Sequence, residues 1–268
     1  MGAIPVRIFW YINIGFTDTP NRLNAGACVA PAVTKELGTL TMKKTLLVAA
    51  VALSALFAGA ASAQDAGELS FNIAATNNYV WRGVTQTDDN AALQGGVDYK
   101  KGMYYVGAWG SNVDFGADTA STEVDLYAGI TPSAGDFSFD FGYIHYFYPD
   151  QSDNSDFDFG ELKAAVSHPM GAGSIGFAMY LPAEDLEDPY YEVNASQPIG
   201  DKWTVSGAIG NYEAAGYSTW NVGVTYAITD ALSLDVRYSD AGRPDVDPID
   251  VPSEDLPDNI YATLKVGF

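Results

Sequence analysis

From about residue 69 onward the chain alternates large apolar residues with small or polar ones at a period of two. That spacing puts one residue type on each face of a β-strand. The clearest case is 220–228, where Trp220, Val222, Val224, Tyr226 and Ile228 alternate with Asn221, Gly223, Thr225 and Ala227. Val124, Leu126, Ala128 and Ile130 do the same against Glu123, Asp125, Tyr127 and Gly129, and the segments 232–239 and 260–268 repeat the pattern. No segment of useful length shows the 3.6-residue period of an amphipathic helix, which excludes helical bundles and α/β folds.

Twelve strands are expected, at 69–82, 91–100, 103–112, 121–131, 136–148, 157–167, 174–182, 190–198, 203–212, 217–228, 232–240 and 259–268. The connections at 100–102, 132–135, 170–173, 199–202 and 229–231 are short and rich in Gly, Pro, Asp or Asn. Longer acidic connections alternate with them, around 83–90, 113–120, 149–156, 183–189, 213–216 and 241–258. An even number of strands, with short turns at one end and longer loops at the other, is the pattern of an outer-membrane barrel. The expected fold class is therefore all-β: an antiparallel up-and-down transmembrane β-barrel of about 12 strands, with short periplasmic turns and longer acidic outer loops. Tyr79, Trp81, Trp109, Tyr146, Trp203 and Trp220 fall near strand ends, where interfacial aromatic girdles belong. The rival is a secreted soluble barrel or sandwich; a strand with charges on both faces would mark it, and none occurs.

Residues 42–63 read as a secretory signal peptide. Lys43 and Lys44 form the positive region, Leu46 to Phe57 the apolar region, and Ala61-Ser62-Ala63 the small-residue cleavage site. Residues 1–41 then read as a mis-called upstream extension, with translation starting at Met42 and the barrel occupying 64–268. The full chain carries 34 Asp+Glu against 13 Lys+Arg, a net charge of −21 that repels phosphate backbones and excludes nucleic acid as a partner. Its one cysteine, Cys28, excludes a disulfide framework and a cysteine-clustered metal site.

The runs Asn78-Tyr79-Val80-Trp81-Arg82-Gly83-Val84-Thr85-Gln86-Thr87 and Ala92-Leu93-Gln94-Gly95-Gly96-Val97-Asp98-Tyr99 resemble the signature of the TorF-type porin family, which is Gcw_chp-like. Segments 106–115, 125–129 and 143–149 are similar to it as well, so the likeness extends along nearly all of 64–268. The resemblance implies a proteobacterial outer-membrane barrel and brings neither a firm substrate nor catalytic residues.

If the apolar parity faces lipid, the other parity lines the interior. The candidate pore-lining residues are Arg82, Gln94, Asp98, Glu123, Asp125, Asp140, Glu161, Lys163, Glu192, Asp235, Arg237 and Lys265, with Asn194 beside them. Seven acids and four bases, mixed along neighbouring strands, suit either a hydrated lumen with a mild cation preference or charges that pair and plug a narrow barrel. The pattern contains no inserted plug domain and no long inward loop, which favours the open lumen.

Asp150, Asp153, Asp156 and Asp158, the group Glu184, Asp185, Glu187 and Asp188, and an Asp-Pro repeat over 244–252 load the outer loops with charge. They suit solvated loops or cation capture, yet no EF-hand is present: with Asn154 as first ligand, Phe159 stands where Gly is needed and Ala165 where Glu is needed. His145 and His168 are the only histidines, and no nucleophile elbow accompanies them. Asn194-Ala195-Ser196 matches a glycosylation sequon inside a strand and is read as chance. No cofactor and no catalytic or metal site is expected.

The expected function is a porin-like channel for passive diffusion of small hydrophilic solutes, cations among them. The alternative is a closed structural or adhesin-like barrel acting through its acidic loops. Its partners would be outer-membrane lipid and lipopolysaccharide, and the barrel-assembly machinery through the C-terminal strand. The final alternating strand ends on the aromatic Phe268, as an assembly signal would. Deleting Phe268 should lower the amount of folded protein in outer-membrane fractions; unchanged assembly would show that the signal lies elsewhere.

Overall fold

The computed structural model describes residues 67–115, 120–151, 157–242 and 258–268. The expectations for 1–41, for the signal at 42–63 and for the Asp-Pro loop lie outside these residues. Twelve long strands run in chain order: β1 Glu68–Thr76, β2 Ala92–Lys101, β3 Tyr104–Asn112, β4 Thr122–Ile130, β5 Phe137–Phe147, β6 Phe159–Met170, β7 Gly173–Pro182, β8 Tyr190–Ile199, β9 Trp203–Tyr212, β10 Tyr217–Ala227, β11 Leu232–Gly242 and β12 Asn259–Gly267. Ser133–Ala134 adds a two-residue strand beside β5, and the described residues contain no helix.

Each long strand pairs antiparallel with its neighbour in sequence, and β1 pairs with β12, so the sheet closes on itself. At the seam Ile73 faces Val266 and Ala75 faces Leu264. The last residue completes it: Phe71 N donates to Phe268 O at 2.8 Å, Phe268 N donates to Phe71 O at 3.0 Å, and the two rings stack at 6.2 Å. Closure satisfies the backbone groups that an open edge would leave bare in hydrocarbon.

The distribution of side chains is the reverse of a soluble protein's. Leu126, Leu162, Phe177, Val222, Val236 and Leu264 point outward and are 42–49% exposed, while Glu123 and Asp125 are fully buried inside. An apolar belt of that extent in water would be an aggregation surface; in lipid it is the solvated face. Trp203 and Trp220 lie outward, 50% and 42% exposed, as girdle residues would. Tyr79, Trp81 and Tyr146 do not: they are buried inside, and Trp109 is half-buried with its ring 5.6 Å from that of Tyr79. Their alternation is regular, but Trp109 and Tyr146 fall on the inward parity.

The first strand ends at Thr76 rather than at 82, because Asn77 and Asn78 turn the chain away from the wall. The alternation of connection lengths also has an exception. The loop at 213–216 is as tight as the turn at 228–231, and Gly216 N bonds back to Tyr212 O at 2.8 Å.

The outward assignment predicts a depth-dependent cost for charge. Val222→Arg, at the centre of β10, should lose about 2–4 kcal/mol of stability, and Ile199→Arg, at a strand end, about 0–1 kcal/mol. Equilibrium unfolding in lipid vesicles measures both; equal costs would contradict the assignment.

Candidate functional site: the barrel interior and its inward hairpin

Residues 78–87 fold into the barrel, where the sequence pattern gave no sign of an inward loop. Asn77 anchors the departure, its side-chain oxygen accepting from Ala262 N at 2.6 Å. Asn78 is the hub: its Oδ1 accepts from the Thr85 hydroxyl at 2.7 Å, and its amide donates to Asp89 at 2.7 Å and to Asn259 at 3.0 Å. Two short strands, Val80–Trp81 and Val84–Thr85, then pair around a two-residue turn. Both turn residues are left-handed, Arg82 at φ 44° and Gly83 at φ 85°, as a tight hairpin with type I′ geometry requires. Gly83 is needed for a second reason, since a Cβ there would lie 2.7 Å from Ala241 Cβ and from Thr219 Oγ1. The tip is thus pressed against β10 and β11.

Arg82 pays about 1 kcal/mol for its left-handed backbone, and its side chain shows what holds it. Its guanidinium donates to both oxygens of Glu161 at 2.9 Å, and the Tyr146 hydroxyl donates to the same carboxylate at 3.0 Å. Trp81, Tyr190, Tyr212 and Tyr180 surround the guanidinium, with ring centroids 4.0, 4.2, 4.8 and 5.2 Å from it. The fork geometry of arginine fits both the carboxylate and the ring faces, which the ammonium of lysine would not. Tyr79 reaches the other side, donating to Glu123 at 3.1 Å. The hairpin therefore spans the interior and touches wall residues from β3 round to β12. Arg82 faces the interior, but from this hairpin and not from a wall strand, which corrects its expected placement on β1.

The other eleven candidates sit on wall strands and face inward; Glu161, Glu123 and Asp125 meet or underlie the hairpin, and the rest lie elsewhere on the wall. Lys163 pairs with Asp140 at 3.0 Å, and Tyr105 donates to Asp140 at 2.9 Å. Arg237 pairs with Asp235 at 3.2 Å and also donates to Ser206 at 2.7 Å, while Thr225 donates to Asp235 at 2.7 Å. Asp98 accepts from Tyr127 at 2.6 Å and lies within electrostatic range of Lys265. Glu192 accepts from Tyr190 and from Asn194, each at 3.1 Å. Gln94 lies beside Ala74, which faces Lys265 on its other side. Glu123 and Asp125 are buried beneath the hairpin. Each of the four bases thus has an acid close by, and the acids are left in excess.

Sequence reasoning missed the inward tyrosines 105, 127, 146, 180, 190 and 212, although all occupy the inward parity. Several lie flat along the wall because a glycine faces them on the next strand. Tyr127 crosses Gly107 to reach Asp98, and Arg237 crosses Gly223 to reach Ser206; a Cβ at either glycine would collide with the crossing side chain. A side chain laid along the wall takes less of the cross-section than one aimed at the axis.

Outside the interior, His145 faces outward between Tyr143 and Phe147 and shares a hydrogen bond with the Tyr143 hydroxyl at 2.9 Å, and His168 bonds Pro169 O at a strand end. Asp150 ties its loop down by accepting from the Ser121 hydroxyl and from the amides of Ser121 and Thr122. Its slight burial acts to raise its carboxyl, but these hydrogen bonds outweigh that and hold it below the usual carboxylate range.

Breaking the buried pair should release the hairpin. Arg82→Ala leaves Glu161 without its cation, at a cost of roughly 3–5 kcal/mol. Backbone amides over 79–86 should then exchange faster with deuterated solvent while those of β10 and β11 stay protected; unchanged exchange would mean that Arg82 does not hold the hairpin.

Comparison with solved structures places this barrel among outer-membrane folds. The "KdgM porin" aligns with a TM-score of 0.53 at 9% identity, over 74% of this chain and 98% of that one. The outer membrane protein Omp33 of Acinetobacter baumannii aligns at 0.46 with 13% identity over 76% and 100% of the two chains. Outer membrane phospholipase A of Escherichia coli aligns at 0.43 with 12% identity over 75% and 89%. Among curated proteins none matches in sequence. The model of a family described as bacterial protein of unknown function (Gcw_chp) matches residues 59–259, a span that takes in the inward hairpin and eleven complete wall strands. The chain therefore belongs to the Gcw_chp family, and its fold is a porin-like, twelve-stranded β-barrel.

Proposed function

We propose that the protein is a channel of the bacterial outer membrane, exported through the segment 42–63, through which small hydrophilic solutes diffuse passively. The observation that carries this reading is the closed barrel with an apolar outer face and a charged, hydrogen-bonded inner wall. The KdgM fold likeness supports it, and so does the flat lie of Tyr127 and Arg237 against the wall. Solutes pass between the wall and the inward hairpin, which narrows the barrel near the end that carries the long loops. Selection is by width and by charge, with no chemical step. Seven inward acids outnumber the four inward bases, an excess that Asp98 and Glu192 share, so the passage prefers cations. Lipid and lipopolysaccharide surround the apolar face, and β12 with Phe268 is the strand that the assembly machinery engages.

One observation favours the second reading, a closed barrel acting through its loops: the hairpin crosses the interior with a buried ion pair. Planar-bilayer recording of the refolded barrel separates the two. The channel reading expects stepwise conductance with cation selectivity, a higher conductance in Arg82→Ala, and weaker selectivity when Asp98→Asn and Glu192→Gln are combined. A folded barrel that stays silent in both the native and the Arg82→Ala forms would establish the closed alternative.

A further inference from the structure

Asp125 is the least satisfied group in the barrel. It is fully buried, it faces the interior, and neither Oδ1 nor Oδ2 has a hydrogen-bond partner. A buried carboxylate in that condition is costly unless a cation or a donor meets it. The groups around it do not help, because the charges within its range are those of Glu123 and Glu161. Glu161 is matched by Arg82 through the bidentate pair. Glu123 receives the hydroxyls of Tyr79 at 3.1 Å and Tyr148 at 3.3 Å but no cationic side chain. Three carboxyl groups and one guanidinium thus leave two carboxyl groups without a cationic partner, on residues two apart and on the same face of β4.

We propose that Glu123 and Asp125, beneath the inward hairpin, hold a hard divalent cation of the calcium type. Two carboxyl groups that lack a cation match one divalent ion, and the donors are all oxygen, the set that such an ion takes. These two side chains are the carboxylate ligands, since no group of three or more Asp, Glu, His or Cys side chains placed to hold a metal occurs among the described residues. Tyr79 links the ion to the hairpin: its hydroxyl orients Glu123 while its backbone N donates to Thr87 Oγ1 at 3.1 Å. Binding therefore steadies the hairpin as well as the wall. The site holds whether or not the barrel conducts.

Terbium, a luminescent substitute for calcium, tests this in the folded full-length barrel, with Tyr79 and Tyr148 close enough to sensitise its emission. The expected result is saturable emission that calcium displaces, together with a melting temperature that calcium raises and chelator lowers. Asp125→Asn should weaken terbium binding at least tenfold and abolish the calcium-dependent shift, and Glu123→Gln reads the same point if Asp125→Asn fails to fold. The combined Asp185→Asn and Glu187→Gln change in an outer loop should leave both readouts intact. The proposal is overturned by an absence of sensitised emission, by emission that survives Asp125→Asn and Glu123→Gln, or by emission lost in the loop variant alone. A melting temperature indifferent to calcium in the native barrel would equally overturn it, and would mean that Asp125 is kept neutral by a proton.

Discussion

A sheet in hydrocarbon has no water to satisfy its edges, so the pairing of β1 with β12 is the condition on which every other feature of this barrel rests. The seam joins residues nearly two hundred positions apart, Ile73 with Val266, and it ends on the reciprocal bonds of Phe71 and Phe268. Once it closes, side-chain parity becomes an inside and an outside. The apolar parity meets lipid, and the polar parity is confined to an interior where charges must find one another.

That confinement explains the ion pairs. Arg82 with Glu161, Lys163 with Asp140 and Arg237 with Asp235 are largely buried, and breaking any of them strands a charge in a place of low dielectric. The same crowding accounts for the glycines on the inward parity. Where Gly107 or Gly223 leaves a gap, Tyr127 or Arg237 lies across it and bonds sideways. Residues that look like strand-breakers in isolation are the spaces into which long polar side chains fit.

The wall strands were legible because a face exposed to lipid and a face exposed to polar surroundings impose a strict period of two. The inward hairpin was not, because Tyr79 and Trp81 continue that period after the wall has ended. Two local signals mark the break: Asn77-Asn78, which favours turns, and Arg82-Gly83 between short apolar pairs, which suits a two-residue hairpin. Neither says that the hairpin turns inward, since that depends on Glu161 and on tyrosines of β7, β8 and β9. Of the two runs that resemble the TorF-type signature, 78–87 enters the barrel and 92–99 lies on the wall.

The sequence by itself determined the strand count, the antiparallel order and the two faces, because those follow from spacing between near neighbours. It also put the charged residues of the wall strands on one parity for the same reason, but not Arg82, which enters from the hairpin. Only the tertiary structure decided which charges meet, that Arg82 sits in a ring of aromatic faces, and that Asp125 has no hydrogen-bond partner among the described residues. Those outcomes depend on contacts between strands far apart in the chain, and closure of the barrel is what brings them within reach.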